Sequence, residues 1–143
     1  MGKPSNKHSI EVRVTYADTD QMGVVYYANY LIWFEMVRTE FFRGRGIVYK
    51  KLEDEQKIYL PVVEAHCSYK APIRYDEVIT VSTWLSEVGR CRLTFEYEIS
   101  SGGKVTTQGH TKHVFIDSKS KPIEIPVDIK EIFCPGGTNP AGN

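Results

Sequence analysis

Between Ala28 and Arg45 the chain is apolar on nearly every side of a helix, and this constrains the fold more than any other feature. Tyr30, Leu31, Phe34, Val37 and Phe41 recur at helical spacing, and Ile32, Trp33 and Met36 make the opposite side apolar over the first two turns. Such a helix is expected to be buried on most sides rather than laid on a surface. Asn29 is the expected cap near its start. Arg38, Glu40, Arg43 and Arg45 supply a wet face only towards the end, where Gly44 or Gly46 can close the helix. At ~1.5 Å per residue it spans roughly 27 Å, the depth of a small domain.

The rest of the chain alternates with a period of two, the mark of half-buried strands. Ile10, Val12, Val14 and Tyr16 share one face of a first strand over Ser9 to Tyr16. Beyond about residue 57, Val63, Ala65, Cys67 and Tyr69 share a face, as do Ile79, Val81 and Leu85, with Trp84 and Val88 on the other side. Cys91, Leu93, Phe95, Tyr97 and Ile99 alternate with polar residues, and a last strand follows from about Val105 to Ile116. Ser100-Ser101-Gly102-Gly103 marks a hairpin. Val48 to Gln56 is a candidate short charged helix, and Val127 to Phe133 a final helical turn.

One strand, a long buried helix, then four strands joined by short turns demand antiparallel neighbours. A curved antiparallel sheet wrapped around a central helix satisfies both the alternation and the apolar helix. This α+β arrangement is the hotdog fold. A ferredoxin-like split βαβ would need a second full-length helix between strands, and none of comparable strength is present.

The 143 residues suit one domain spanning the chain, with loose polar ends at 1–7 and 134–143. Lys plus Arg and Asp plus Glu are 18 each, so no overall basic excess points to nucleic acid. No apolar run approaches a membrane span, and the first residues lack the apolar core of a signal peptide. Cys67, Cys91 and Cys134 cannot all pair and lack C-x-x-C spacing, which fits a reduced, cytoplasmic setting.

Chemistry concentrates in Tyr16 to Tyr30, where Asp18 and Asp20 lie just before the helix. Amides of the first helical turn lack intrahelical partners, and the helix dipole adds partial positive charge. An oxyanion forming there would meet donors already in place, while a carboxylate beside it attacks an acyl carbon or deprotonates water. A plain capping or dipole role is the structural alternative. The spacing Asp18-x-Asp20-x-x-Gly23 opens like a calcium loop, but Met22 and Asn29 stand at its fifth and twelfth positions, where ligands are needed. A D-x-D phosphatase or glycosyltransferase site would want a parallel sheet. No metal is expected.

The run D-x-D-x-x-G-V-V-Y-x-A-N-Y-L-x-x-F-E-x-x-R-x-E resembles the 4-hydroxybenzoyl-CoA thioesterase-like hotdog proteins, particularly YbgC-type acyl-CoA thioesterases. The likeness continues through His66 to Asp76 and Val88 to Glu98, and covers most of the chain from Ser9 to about Asp117. It implies that Asp20 is the catalytic nucleophile or general base and that the Tyr27 backbone N–H polarises the thioester carbonyl. Asp18 and Gly23 become supporting loop residues. YbgC-type members usually carry His where this chain has Tyr27, and the hydroxybenzoyl-CoA enzyme carries Tyr; the backbone role survives any side chain except Pro, and the acyl preference of this chain stays open.

The resemblance implies an acyl-CoA substrate, no cofactor, and a homo-oligomer (dimer or tetramer) with each active site between subunits. Coenzyme A phosphates call for Lys or Arg near the site. Arg90 and Arg92 flank one turn, Lys70 and Arg74 another, and Arg90 is the leading candidate. His8, His66, His110 and His113 fall on strands or the N-terminal end; His66 reads as solvated, Cys67 and Cys91 as core, and Glu35 with Arg38 as a structural pair. A non-catalytic acyl-CoA or acyl-carrier binding module on the same fold is the competing reading.

Overall fold

In a computed structural model, residues 6–134 are described. Its strands are β1 (His8–Arg13), β2 (Val62–Tyr69), β3 (Val78–Val88), β4 (Arg92–Ser101) and β5 (Lys104–Val114). The helices are α1 (Asn29–Arg43), α2 (Tyr49–Lys51), continued by a π-helical turn at Leu52–Gln56, and α3 (Val127–Phe133). The strands form one antiparallel sheet in the order β1-β3-β4-β5-β2. The expected hotdog arrangement is therefore present, and both short helices fall where the sequence puts them.

The core lies between α1 and the inner face of the sheet. Tyr30, Trp33, Phe34, Val37, Phe41 and Phe42 are buried along α1 against Ile79, Val81, Leu85, Leu93, Phe95, Tyr97 and Ile99. Phe34 stacks on Tyr97 with ring centres 4.2 Å apart, and Phe41 and Phe42 both meet Phe95 edge-on. The Arg45 guanidinium lies 3.7 Å from the centre of the Phe41 ring.

Several readings change. The sheet covers only one side of α1, so Leu31 (41%), Ile32 (53%) and Met36 (43%) stay exposed in the single chain. Asn29 does not cap the helix; its Nδ2 donates to the Asp18 carbonyl (2.8 Å), and Ala28 occupies the cap position. β1 ends at Arg13 because the chain bends into a 3-10 turn at Tyr16–Asp18. Val14 is buried, but Tyr16 is turned out to stack on Tyr75 at 4.1 Å. Finally, a bulge between Leu85 and Glu87 breaks the alternation of β3, so Val88 is buried rather than sharing the Trp84 face.

Glu35 and Arg38 form no ion pair. Arg38 reaches the other way, its Nη1 donating to Tyr97 Oη (2.9 Å) inside the domain. Tyr97 Oη lies 2.6 Å from Thr111 Oγ1, which lies 2.8 Å from His113 Nε2. His113 is fully buried, with Nδ1 3.3 Å from the Leu60 carbonyl. Residues 6, 7 and 134, placed by sequence in the loose ends, are held. Asn6 Oδ1 accepts the Leu85 N–H (2.7 Å), the Lys7 Nζ lies 5.9 Å from the Trp84 ring centre, and Cys134 is buried. Residues 1–5 and 135–143 of those ends lie outside the described residues.

Candidate active site

The loop ahead of α1 is a small hairpin. Thr19 and Val25 form an antiparallel bridge, closed by Asp20 N–H to the Val24 carbonyl (2.9 Å) and Gly23 N–H to the Asp20 carbonyl (2.9 Å). Asp20 Oδ1 accepts the Met22 N–H (2.8 Å), the side-chain turn that Asp makes at the first position of a β-turn. Gly23 sits at φ +79°, in the left-handed region that favours glycine. A second bridge, Val24 with Arg74, and the Val25 N–H to the Ile73 carbonyl (2.8 Å) stitch this hairpin to the segment leading into β3.

Asp18 anchors the loop twice over. Its Oδ2 accepts the Thr15 backbone N–H (2.8 Å) and the Thr15 hydroxyl (3.0 Å). Its backbone carbonyl accepts the Tyr26 N–H (2.9 Å) and the Asn29 side-chain amide. These bonds occupy the Asp18 carboxylate within the loop, whereas Asp20 Oδ2 is unbonded within the described residues.

Asp20 lines a cleft of about 370 Å³ together with Val24, Tyr26, Tyr27, Tyr30, Tyr69 and Lys70. The structure thus brings Asp20, Tyr27 and Lys70 together at the start of α1. The Tyr27 N–H has no partner among the described residues, whereas the carbonyl of its own peptide group, that of Tyr26, accepts the Asn29 N–H (2.9 Å). The Tyr27 carbonyl in turn accepts the Tyr69 hydroxyl (2.8 Å). Burial pushes the Tyr30 phenol up to about 12 and raises that of Tyr69 as well, so both stay protonated near neutrality. The arrangement pairs a free carboxylate oxygen with a free amide donor in one cleft, which is what addition of an oxygen nucleophile to a carbonyl requires.

The four basic candidates separate. Arg74 crosses the loop, with its Nη1 3.9 Å from where a Cβ on Gly23 would stand. Neither Lys70 nor Arg74 makes a side-chain ion pair among the described residues. Arg90 and Arg92 lie at the opposite end of the sheet, where β3 leads into β4, roughly 30 Å along the strands from Lys70. Arg90 is held by Glu124, with Nη2 and Nε 2.6 and 3.0 Å from Oε2, although its side chain is 80% exposed. His66 is exposed and stacks on His110 at 5.2 Å, away from the Asp20 cleft. Tyr69 escapes a sequence reading because it continues the alternation of Val63, Ala65 and Cys67 and so reads as one more inward-facing residue, whereas β2 has no buried residue and Tyr69 is exposed. Its hydroxyl, unlike the other residues of that face, marks it as a possible donor only once the loop is in place.

Residues 14–133 match the family described as the Thioesterase-like superfamily. The chain is 37% identical to a putative acyl-CoA thioesterase, YneP, of Bacillus subtilis over 116 residues, covering 80% of this chain and 83% of that protein. It is 33% identical to the acyl-CoA thioesterase YbgC of Haemophilus influenzae over 129 residues, 90% of this chain and 95% of that one. Among solved structures, the DHNA-CoA thioesterase of Staphylococcus aureus superposes with a TM-score of 0.85 at 34% identity, covering 89% of this chain and 88% of that one. The five-stranded antiparallel sheet packed on α1 is the hotdog fold, and the relatives place the chain in the class of thioester hydrolases. This chain belongs to the thioesterase-like superfamily, as its motif implied.

Proposed function

We propose that the protein hydrolyses acyl-CoA thioesters to a carboxylic acid and free coenzyme A, with Asp20 as nucleophile or general base. The observation that carries this reading is the shared cleft of Asp20 and the unpaired Tyr27 amide at the start of α1. The thioester carbonyl oxygen accepts the Tyr27 N–H, which stabilises the negative charge that builds there. In the base route, Asp20 Oδ2 takes a proton from water as the water oxygen bonds to the carbonyl carbon. The tetrahedral intermediate then expels the thiolate, which recovers that proton. In the nucleophile route, Oδ2 itself bonds to the carbon, the C–S bond breaks, and water cleaves the resulting anhydride.

Asp18 and Gly23 support this site by fixing the loop, and Lys70 and Arg74 flank the cleft as contacts for coenzyme A phosphates. Arg90 and Arg92 reach a nucleotide in this site only from a neighbouring subunit. A homo-oligomer, a dimer or a tetramer, fits the reading. β2 is an edge strand with exposed Val62 and Val63, and the uncovered side of α1 is apolar. A reduced, cytoplasmic setting suits the free Cys67, Cys91 and Cys134. Among the described residues no helix is long and apolar enough to cross a membrane.

The test follows free thiol released from acetyl-, hexanoyl-, benzoyl- and palmitoyl-CoA by the purified protein. Hydrolysis of at least one, lost in Asp20→Asn with the fold unchanged by circular dichroism, is the expected result. A flat trace on all four with acyl-CoA still bound would make the protein a binding module instead.

A further inference from the structure

The amide donor of the site is held on both sides, and one of the two holds comes from across the fold. On the near side, the peptide that carries the Tyr27 N–H presents its carbonyl to the Asn29 N–H (2.9 Å), within the start of α1. On the far side, the next carbonyl, that of Tyr27, takes the hydroxyl of Tyr69 (2.8 Å). Tyr69 is the last residue of β2, paired with Thr107. Directly after it, the Lys70 and Ala71 amides both donate to the Thr106 carbonyl (2.8 and 3.1 Å), so the strand end is clamped to β5. The Tyr69 ring packs edge-on against Tyr30 with centres 4.8 Å apart, which leaves the phenol little freedom to swing away.

We infer that Tyr69 is a positioning residue for thioester hydrolysis: its hydroxyl fixes the backbone of Tyr27 so that the Tyr27 N–H points at the substrate carbonyl. The inference rests on the function proposed above. The Tyr27 N–H turns with ψ of Tyr26 and φ of Tyr27; the Asn29 bond holds the peptide that carries it and the Tyr69 bond holds the next one. Without the Tyr69 bond φ of Tyr27 is freer, and the donor samples directions other than the one the oxyanion needs. Preorganisation of such donors is a large part of their catalytic effect. Burial and the neighbouring Cys67 thiol hold the Tyr69 phenol above the ordinary tyrosine range, so it is protonated and donates near neutral pH.

Tyr69→Phe removes the hydroxyl and keeps the ring that packs on Tyr30. On the acyl-CoA from the panel that is hydrolysed fastest, kcat is expected to fall about tenfold with KM within about twofold, since ground-state binding does not need the aligned donor. A merely structural role would not change the polarisation of the substrate. We therefore add a direct readout: the infrared carbonyl band of the same thioester, carbon-13 labelled and bound to Asp20→Asn protein. That band is expected below its position in free substrate, and to move part of the way back when Tyr69→Phe is added. A band displaced equally with and without the hydroxyl, or an unchanged kcat, overturns the role of Tyr69 and leaves the hydrolase reading standing. No displacement in the Asp20→Asn protein itself would overturn the amide role of Tyr27, and that of Tyr69 with it.

Discussion

Gly109 lies directly beneath the ring of Phe34. A Cβ built at this position would stand 2.7 Å from Phe34 Cε2 and 2.5 Å from the His66 carbonyl oxygen. Helix α1 can therefore sit down on β5 only because position 109 has no side chain. Since Phe34 also stacks on Tyr97, the ring has no free direction in which to retreat. Gly109→Ala is expected to destabilise the fold by about 1–3 kcal/mol, the range for overpacking a core. A shift of the urea midpoint with unchanged slope checks it.

Gly23→Ala is expected to act on the site more than on the fold. Space is not the obstacle, because the nearest atom to the new methyl is Arg74 Nη1 at 3.9 Å. The obstacle is the φ of +79°, which costs about 1–2 kcal/mol for a residue with a Cβ. Relief of that strain opens the turn that orients Asp20, so thioester hydrolysis should fall several-fold while the thermal midpoint moves by only a few degrees. Parallel kinetics and thermal unfolding separate the two.

Burial, reinforced by the positive charge of Arg38, lowers the His113 pKa to about 4. The unfolded chain, with an ordinary value of ~6.5, takes up a proton first as the pH falls. His113 therefore contributes its full stability above about pH 6.5 and loses it between about 6.5 and 4, a change on the order of 3 kcal/mol. Urea unfolding at pH 7 and pH 4.5 is expected to show a larger loss in the parent than in His113→Gln. Equal losses in the two proteins would contradict it.

Lys70 lines the cleft without an ion-pair partner among the described residues. Lys70→Ala is expected to raise KM for acyl-CoA several-fold with kcat nearly unchanged. That difference should shrink as salt is added, because exposed charge pairs are screened. Steady-state kinetics at low and high ionic strength tests it.

The strands and their antiparallel pairing are legible because alternation reports burial on a single strand, but their order is not: β2 does not pair with β3, which follows it in sequence, and lies at the edge against β5. What alternation cannot report is an event between strands. The bulge that buries Val88 depends on how β3 and β4 align, and the bond from Arg38 to Tyr97 joins residues 59 apart in sequence. The exposed Leu31, Ile32 and Met36 were misjudged for a related reason: an apolar helix surface states a need for cover without stating that the same chain supplies it. In the loop, the place before a helix points to Asp18 and Asp20 alike, and only the family resemblance selects Asp20. Asn29 was taken for a cap because its type suits one; its actual partner, the Asp18 carbonyl, is backbone and leaves no trace in residue identity.

Two bridges tie the Asp20 hairpin to its own base and to Arg74, on the segment that leads into β3. A substrate entering such a site finds the chain already immobilised, so little backbone entropy remains to be lost on its arrival. On the proposed reading, the cleft beside Asp20 stands formed before acyl-CoA arrives.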